Sequence, residues 1–275
     1  MILRAPAKLN LCLYLGPRRD DGLHELCSLT QALTLSDRLL VADAEADEVR
    51  CPGVEGPNLA ATTLAGLRER GWSRPPLRVE IEKRIPVAAG LGGGSADAAA
   101  VLRLARDEVA GLEALAAELG ADVPAQLDPG LALVRGAGER VEPLAPPAEY
   151  AVVLIPSPDG LLTADVYAEA DRLGLGRSSA ELDGRAERLR AAAASPLDHA
   201  ELLVNDLQEA ALSLRPEIGD ALAALGAAGA ARALVTGSGP TAFGLFADVA
   251  LADRAAASLP PRYANAVVTA PATYR

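Results

Sequence analysis

Aromatic side chains are scarce in this chain: one Trp, five Tyr and two Phe among 275 residues. Binders of single-stranded nucleic acid and RNA-recognition modules stack bases on aromatic platforms, so this scarcity argues against both. Basic charge is also short, with 26 Lys and Arg against 37 Asp and Glu, a net charge of −11. A polyanion is ordinarily met by a basic face, so nucleic acid is not an expected partner. The three cysteines, Cys12, Cys27 and Cys51, contain no Cys-x-x-Cys pair and are joined by only two histidines, His24 and His199. That set does not make a zinc site of the usual composition, and no side-chain metal site is expected. Sparse, odd-numbered thiols fit a reducing compartment better than a disulfide framework. No uncharged apolar run approaches the roughly 20 residues that cross a bilayer. The short run Leu9 to Leu15 ends in Gly16-Pro17-Arg18-Arg19 instead of a small-residue cleavage site. The expectation is a cytoplasmic protein with no membrane partner.

Half of the residues are hydrophobic, enough for a sizeable core, and the length admits one large domain or two modest ones. Lys8 to Leu15 carries apolar residues at every odd position, the period-2 mark of a strand. Further strands are expected at 25–33, 37–42 and 77–85, the last alternating almost perfectly. Asn58 to Arg70 has helical spacing. Helices are expected at 95–109 and 112–119, the second stopped by Gly120. A hairpin is expected over 131–144 around Arg135-Gly136-Ala137-Gly138. Ala145-Pro146-Pro147-Ala148 reads as a linker, which places an N-terminal domain at 1–148 and a C-terminal domain at 149–275. The second half reads as strands at 150–155, 233–235, 241–246 and 264–269. Helices over 204–214, 217–225 and 251–259 are interspersed with them. Strands mixed with helices in both halves, several joined by hairpin-like turns, indicate an α+β fold with mostly antiparallel or mixed sheets.

The strongest local signal is the loop Pro86-Val87-Ala88-Ala89-Gly90-Leu91-Gly92-Gly93-Gly94-Ser95, fed by a strand and followed by a helix that takes in Ala96. A helix N-terminus offers unpaired N–H groups and partial positive charge, and glycines let the backbone approach an anion. No Gly-Lys-Ser/Thr ends the loop, and its contiguous glycines do not match the dinucleotide fingerprint. A second glycine turn, Thr236-Gly237-Ser238-Gly239, is a candidate second wall for a phosphate site. Lys8 and Asn10 share the strand face opposite Leu9, Leu11 and Leu13. Asp122 follows a helix end in Gly120-Ala121-Asp122-Val123-Pro124, and His24 follows the turn Asp21-Gly22-Leu23.

Together Pro6-Ala7-Lys8-Leu9-Asn10-Leu11, the loop Pro86 to Ser95 and Thr236-Gly237-Ser238-Gly239 resemble the three motifs of the GHMP kinases. The segments Arg18 to Leu26, Gly120 to Pro124 and Gly136 to Arg140 resemble the branch of that family whose acceptor is a cytidine-diphosphate-linked methylerythritol. The resemblance runs in order from Pro6 to about Phe246. It implies a two-domain fold and a small-molecule kinase that uses ATP with Mg²⁺ and acts as a monomer or homodimer. It further implies that Asp122 takes the proton from the acceptor hydroxyl, with Lys8 beside it. Asn10 and His24 are implied as contacts to the cytidine end, Thr163 as a residue near the acceptor and Tyr167 as a ring against cytosine. Pro86 to Ser95 are implied as the ATP phosphate loop, continued by Ala96 and joined by Gly237 and Gly239, with Asn58 and Lys83 near the nucleotide. Two positions depart from the family pattern. Leu23 stands where a Tyr is common, and Ala96 stands in place of a second Ser.

Overall fold

The computed structural model describes residues 1–157 and 159–272, so the last three residues of the expected C-terminal domain lie outside the described part. Two long strands dominate the first half: β1 (Ile2–Arg18) pairs antiparallel with β2 (His24–Asp43). The two expected strands at 25–33 and 37–42 are thus one. Ser36 and Asp37 read as turn residues, but Asp37 is satisfied in place. Its carboxylate accepts from Lys83 and from the backbone N–H of Arg84 and Ile85. The same contacts end β4 (Leu77–Glu82) earlier than the alternation suggests.

β3 (Glu48–Arg50) runs parallel to β4, and β4 joins β2 on one side. The hairpin of β5 (Leu131–Gly136) and β6 (Arg140–Leu144) joins β2 beyond it, giving a mixed six-stranded sheet. On this sheet lie α1 (Leu59–Glu69), α2 (Gly93–Leu102) and α3 (Leu112–Leu119). α2 passes into a 3-10 turn at 103–105 rather than continuing to residue 109. The second half builds a four-stranded antiparallel sheet in the order β10–β7–β9–β8. Its strands are β7 (Ala151–Ile155), β8 (Arg232–Val235), β9 (Ala242–Phe246) and β10 (Val267–Thr269). Five helices accompany it: α4 (Thr163–Leu173), α5 (Ser179–Ala192), α6 (Gln208–Leu214), α7 (Ile218–Ala227) and α8 (Val249–Ser258). The outcome is the α+β arrangement expected. Among the described residues no helix is long and apolar enough to cross a membrane.

β1 is the keel of the molecule. Leu9, Leu11 and Tyr14 share one apolar cluster with Val152, Leu154 and Phe243 of the second sheet. Ala5 belongs instead to the cluster between the first sheet and α1–α3. With both faces covered along its middle, the strand keeps the polar side chains of Lys8 and Asn10 buried, at 7% exposure each. Register shifts between Pro6 and Lys8 and between Asn10 and Cys12 bracket the pair, and bulges of this kind re-aim the side chains beside them.

Candidate active site

Lys8 and Asn10 point into a cleft between the two halves. Lys8 Nζ lies 2.7 Å from Asn10 Oδ1 and 3.2 Å from Asp122 Oδ2. Asn10 is held from behind: its Nδ2 donates to Ser28 Oγ at 2.8 Å, and its backbone N–H donates to Thr236 Oγ1 at 3.0 Å. Asp122 comes from the turn after α3. That turn is fastened to β1 by Gln126 Nε2 donating to the Pro6 carbonyl at 3.1 Å. It is also braced by Gly138, where a Cβ would stand 2.4 Å from the Ala121 carbonyl oxygen. The carboxylate itself is open to the cleft, with 46% of its side chain exposed.

Three connected pockets make up the cleft. The middle one is lined by Lys8, Asn10, Asp122, Gly92, Thr163 and Gly237, among others. On one side it shares Gly90 and Gly92 with a pocket of about 320 Å³, walled by the whole loop Pro86 to Ser95 together with Asn58 and Lys83. On the other side it shares Thr163 and Tyr167 with a pocket of about 490 Å³, walled by Leu23, His24 and Asp171. The cleft therefore runs from the glycine loop past the Asp122 carboxylate to an aromatic recess.

The glycine loop is positioned by three contacts. Lys8 N–H donates to the Leu91 carbonyl at 2.9 Å, and Thr241 Oγ1 donates to the Ala89 carbonyl at 2.6 Å. Gly90 abuts the second glycine turn, since a Cβ there would lie 2.4 Å from the Gly239 carbonyl oxygen. Gly92, at φ 68°, caps α2 in the left-handed conformation that glycine tolerates best. The first turn of α2 then presents its N–H groups to the loop pocket. Asn58 also caps a helix here, its side chain accepting from Ala60 N–H at the start of α1 at 2.9 Å.

At the far end His24 is buried and its Nε2 lies 2.7 Å from Asp171 Oδ1. Its ring sits 5.2 Å from that of Tyr167, tilted by 41°. Burial, aided by the charge of Asp122, pushes the Tyr167 phenol up to about 12, so it stays neutral. Leu23 forms the rim at 53% exposure. Thr163 begins α4 and lies 3.1 Å, Oγ to Oγ, from Ser238.

Four sequence expectations are relocated by this geometry. Asn10 stands at Lys8 and Gly237, not at the recess that holds His24, because β1 carries it into the middle of the cleft. Ala96 is fully buried in the core under α2, and its N–H is used by the Gly92 carbonyl at 2.8 Å. One helical step turns it away from the loop pocket, which Ser95 lines and Ala96 does not. Gly237 lines the middle pocket, and Gly239 packs beneath Gly90 without lining either the loop pocket or the middle one. Residues that sequence reasoning missed are Ser28, Asp37, Asp97, Asp171 and Ser238. A lone Asp inside the alanine-rich α2 was a usable signal for Asp97, and the turn Thr236-Gly237-Ser238-Gly239 one for Ser238; Asp171 carries none.

Comparison with known proteins matches residues 58–130 to the GHMP kinases N terminal domain and residues 183–265 to GHMP kinases C terminal. The 4-diphosphocytidyl-2-C-methyl-D-erythritol kinase of Rhodococcus jostii (strain RHA1) is 40% identical over 276 residues, covering 94% of this chain and 88% of that protein. The chain belongs to that kinase family. The enzyme of the same name from Nocardia farcinica (strain IFM 10152) is 43% identical over 261 residues, covering 88% of this chain and 83% of its own. A crystal structure of 4-(cytidine 5'-diphospho)-2C-methyl-D-erythritol kinase superposes with a TM-score of 0.80 at 35% identity, covering 99% and 100% of the two chains. A homoserine kinase from Cytophaga hutchinsonii, at 19% identity and TM-score 0.74, shares the fold. In this kinase the two matched family domains lie on either side of the cleft's central strand.

Proposed function

We propose that this chain transfers the γ-phosphoryl group of ATP to the 2-hydroxyl of 4-diphosphocytidyl-2-C-methyl-D-erythritol, giving the 2-phosphate in the non-mevalonate route to isoprenoid precursors. The observation that carries the reading is the order of the three pockets, with Lys8 and Asp122 between the glycine loop and the aromatic recess. ATP lies with its phosphates on the first turn of α2, and the cytidine end of the acceptor lies by His24 and Tyr167. The acceptor's 2-hydroxyl then sits at Asp122.

As the hydroxyl oxygen attacks the γ-phosphorus, its proton passes to Asp122 and the bond to the β-γ bridging oxygen breaks, releasing ADP. Phosphoryl transfer asks chiefly for positioning and charge stabilisation. One N–H of Lys8 is directed to Asn10 and another to Asp122, which leaves a third for the oxygens of the moving phosphoryl group. Mg²⁺ neutralises charge on the β- and γ-phosphates when bound. Among the described residues no group of three or more His, Cys, Asp or Glu could hold a metal.

The chain is proposed to act as a monomer or a homodimer. The division at 145–148 accords with the sheets, one formed before it and one after. A cytoplasmic site of action fits three thiols that are free of disulfides. The deciding experiment is a coupled ADP-release assay with the cytidyl substrate present and absent. ADP release stimulated by homoserine or mevalonate, but not by the cytidyl compound, would overturn the reading.

A further inference from the structure

Beneath the glycine loop lies a charge cluster that the transfer mechanism leaves unused. Lys83 Nζ donates to Asp97 Oδ2 at 2.9 Å and to Asp37 Oδ2, and the side chains of Asp97 and Asp37 are 5% and 0% exposed. Two buried carboxyl groups thus converge on one ammonium, each through its Oδ2. Asp37 is fully engaged, since its other oxygen accepts two backbone N–H groups. Asp97 is not: its Oδ1 is sealed from solvent and has no donor. An ionised, half-satisfied carboxylate in such a place is costly, and a shared proton removes the cost.

Among the described residues, the cationic side chain that pairs with these carboxyls is Lys83. Asp37 reaches Asp97 from β2 and Lys83 from the segment after β4. The Cys51 thiol after β3, pushed up by burial, stays neutral. The other elements packed around α2 bring the apolar side chains Ala5, Leu64, Leu67 and Leu115. Burial, reinforced by Asp37 against the pull of Lys83, raises the Asp97 carboxyl to about 7. Lys83 is itself held charged, because the two carboxyls outweigh its burial.

Lys83 and Asp97 both line the loop pocket, and a Cβ on Gly93 would stand 3.1 Å from Lys83 Nζ. The cluster therefore sits directly under the N-terminus that receives the nucleotide's phosphates. We propose that Asp37 and Asp97 hold one proton between them while nucleotide is bound, making the cluster neutral, and that losing this proton weakens nucleotide binding. With the proton, one ammonium faces one carboxylate. Without it, an uncompensated negative charge lies beneath an anionic ligand. Asp97 is thus a positioning residue that sets the charge of the nucleotide site, and nucleotide binding takes up a proton. The inference rests on the reading of the loop pocket as a nucleotide site.

The test is titration calorimetry of the whole protein with MgADP at roughly pH 8, in two buffers of different ionisation enthalpy, which counts protons taken up on binding. The wild-type protein is expected to take up a substantial fraction of one proton. Its Kd for MgADP should rise by about threefold to tenfold per pH unit above neutrality, the ceiling for linkage to one proton being tenfold. Asp97→Asn keeps the shape without the charge, so its proton count should fall to that of the ligand alone and its affinity should become flat over the same range. MgADP binding to the wild-type protein with no proton uptake overturns this inference alone, whether or not the variant folds. Equal counts and parallel pH profiles in both proteins overturn it too. No MgADP binding at all removes the nucleotide reading and the inference together.

Discussion

Gly92 leaves the space in which the stem of Lys8 lies: a Cβ built on it would stand 2.7 Å from Lys8 Cγ and 3.2 Å from Cε. The glycine that caps α2 is therefore also the floor under Lys8. Gly92→Ala would displace Lys8 and strain a residue at φ 68°. Misplacement by about 1 Å can cost about 10² in rate, and kcat is expected to fall by that order. Steady-state kinetics with both substrates saturating check this, and an unchanged kcat would detach Gly92 from Lys8.

Asp122→Asn tests the proton acceptor. The carboxylate is open to the cleft and makes one ion pair at 3.2 Å, so the amide fits without disturbing the fold. The expected loss in kcat is about 10²–10⁴, the usual contribution of a positioned general base. Nucleotide affinity should hold, because Asp122 does not line the loop pocket. Retention of more than roughly a third of the wild-type kcat would remove Asp122 from the proton transfer.

What could be read from the chain, and what could not, divides along a physical line. The strand–glycine–helix unit at 77–102 was legible because period-2 alternation, contiguous glycines and an alanine-rich run are local signals. The length of β2 was not, because Ser36 and Asp37 behave as turn residues until Lys83 and the N–H groups of Arg84 and Ile85 answer them from elsewhere. Lys8 and Asp122 could be chosen from motif context, but their 3.2 Å approach depends on the tie between Gln126 and Pro6. Asp171, which meets His24, lies on an exposed helix surface where an acidic residue calls for no explanation. Long-range pairing, invisible to any local window, accounts for the misses at Asp37 and Asp171.

The glycines at the start of α2 make separable predictions. A Cβ on Gly94 meets only Leu59 Cδ1 at 3.8 Å, whereas one on Gly93 stands 3.1 Å from Lys83 Nζ and 3.2 Å from Ile85 Cγ2. Gly94→Val therefore fits the fold, places a branched side chain at the pocket wall and replaces the poorer helix former. ATP affinity should drop by about tenfold, about 1.4 kcal/mol, with Tm unchanged or slightly raised. Gly93→Val should lower Tm as well, because it crowds Lys83 and Ile85 from within. Calorimetry paired with thermal melts distinguishes them, and unchanged ATP affinity in Gly94→Val would reduce the loop to a packing turn.

The recess at the other end of the cleft offers the base one well-placed ring, Tyr167, against which His24 is set at 5.2 Å. Leu23, on the rim of the same recess, is aliphatic and 53% exposed, so a base held there would meet it by apolar contact alone. Stacking of a base on an aromatic side chain is worth about 1–3 kcal/mol, of which an aliphatic contact already recovers a part. Leu23→Tyr is therefore expected to lower KM for the cytidyl substrate by about threefold to tenfold, a gain of roughly 0.7–1.4 kcal/mol. KM for ATP should not move, because Leu23 is not among the residues that line the loop pocket. Tyr167→Leu, which keeps apolar bulk in the cluster with Leu13 and Val166, should raise the same KM and likewise spare ATP. Product-inhibition or direct-binding measurements with CMP follow the base alone and should move in parallel. If Leu23→Tyr leaves the cytidyl KM where it was and Tyr167→Leu is silent, cytosine does not lie between these two positions, and the aromatic recess serves another part of the acceptor.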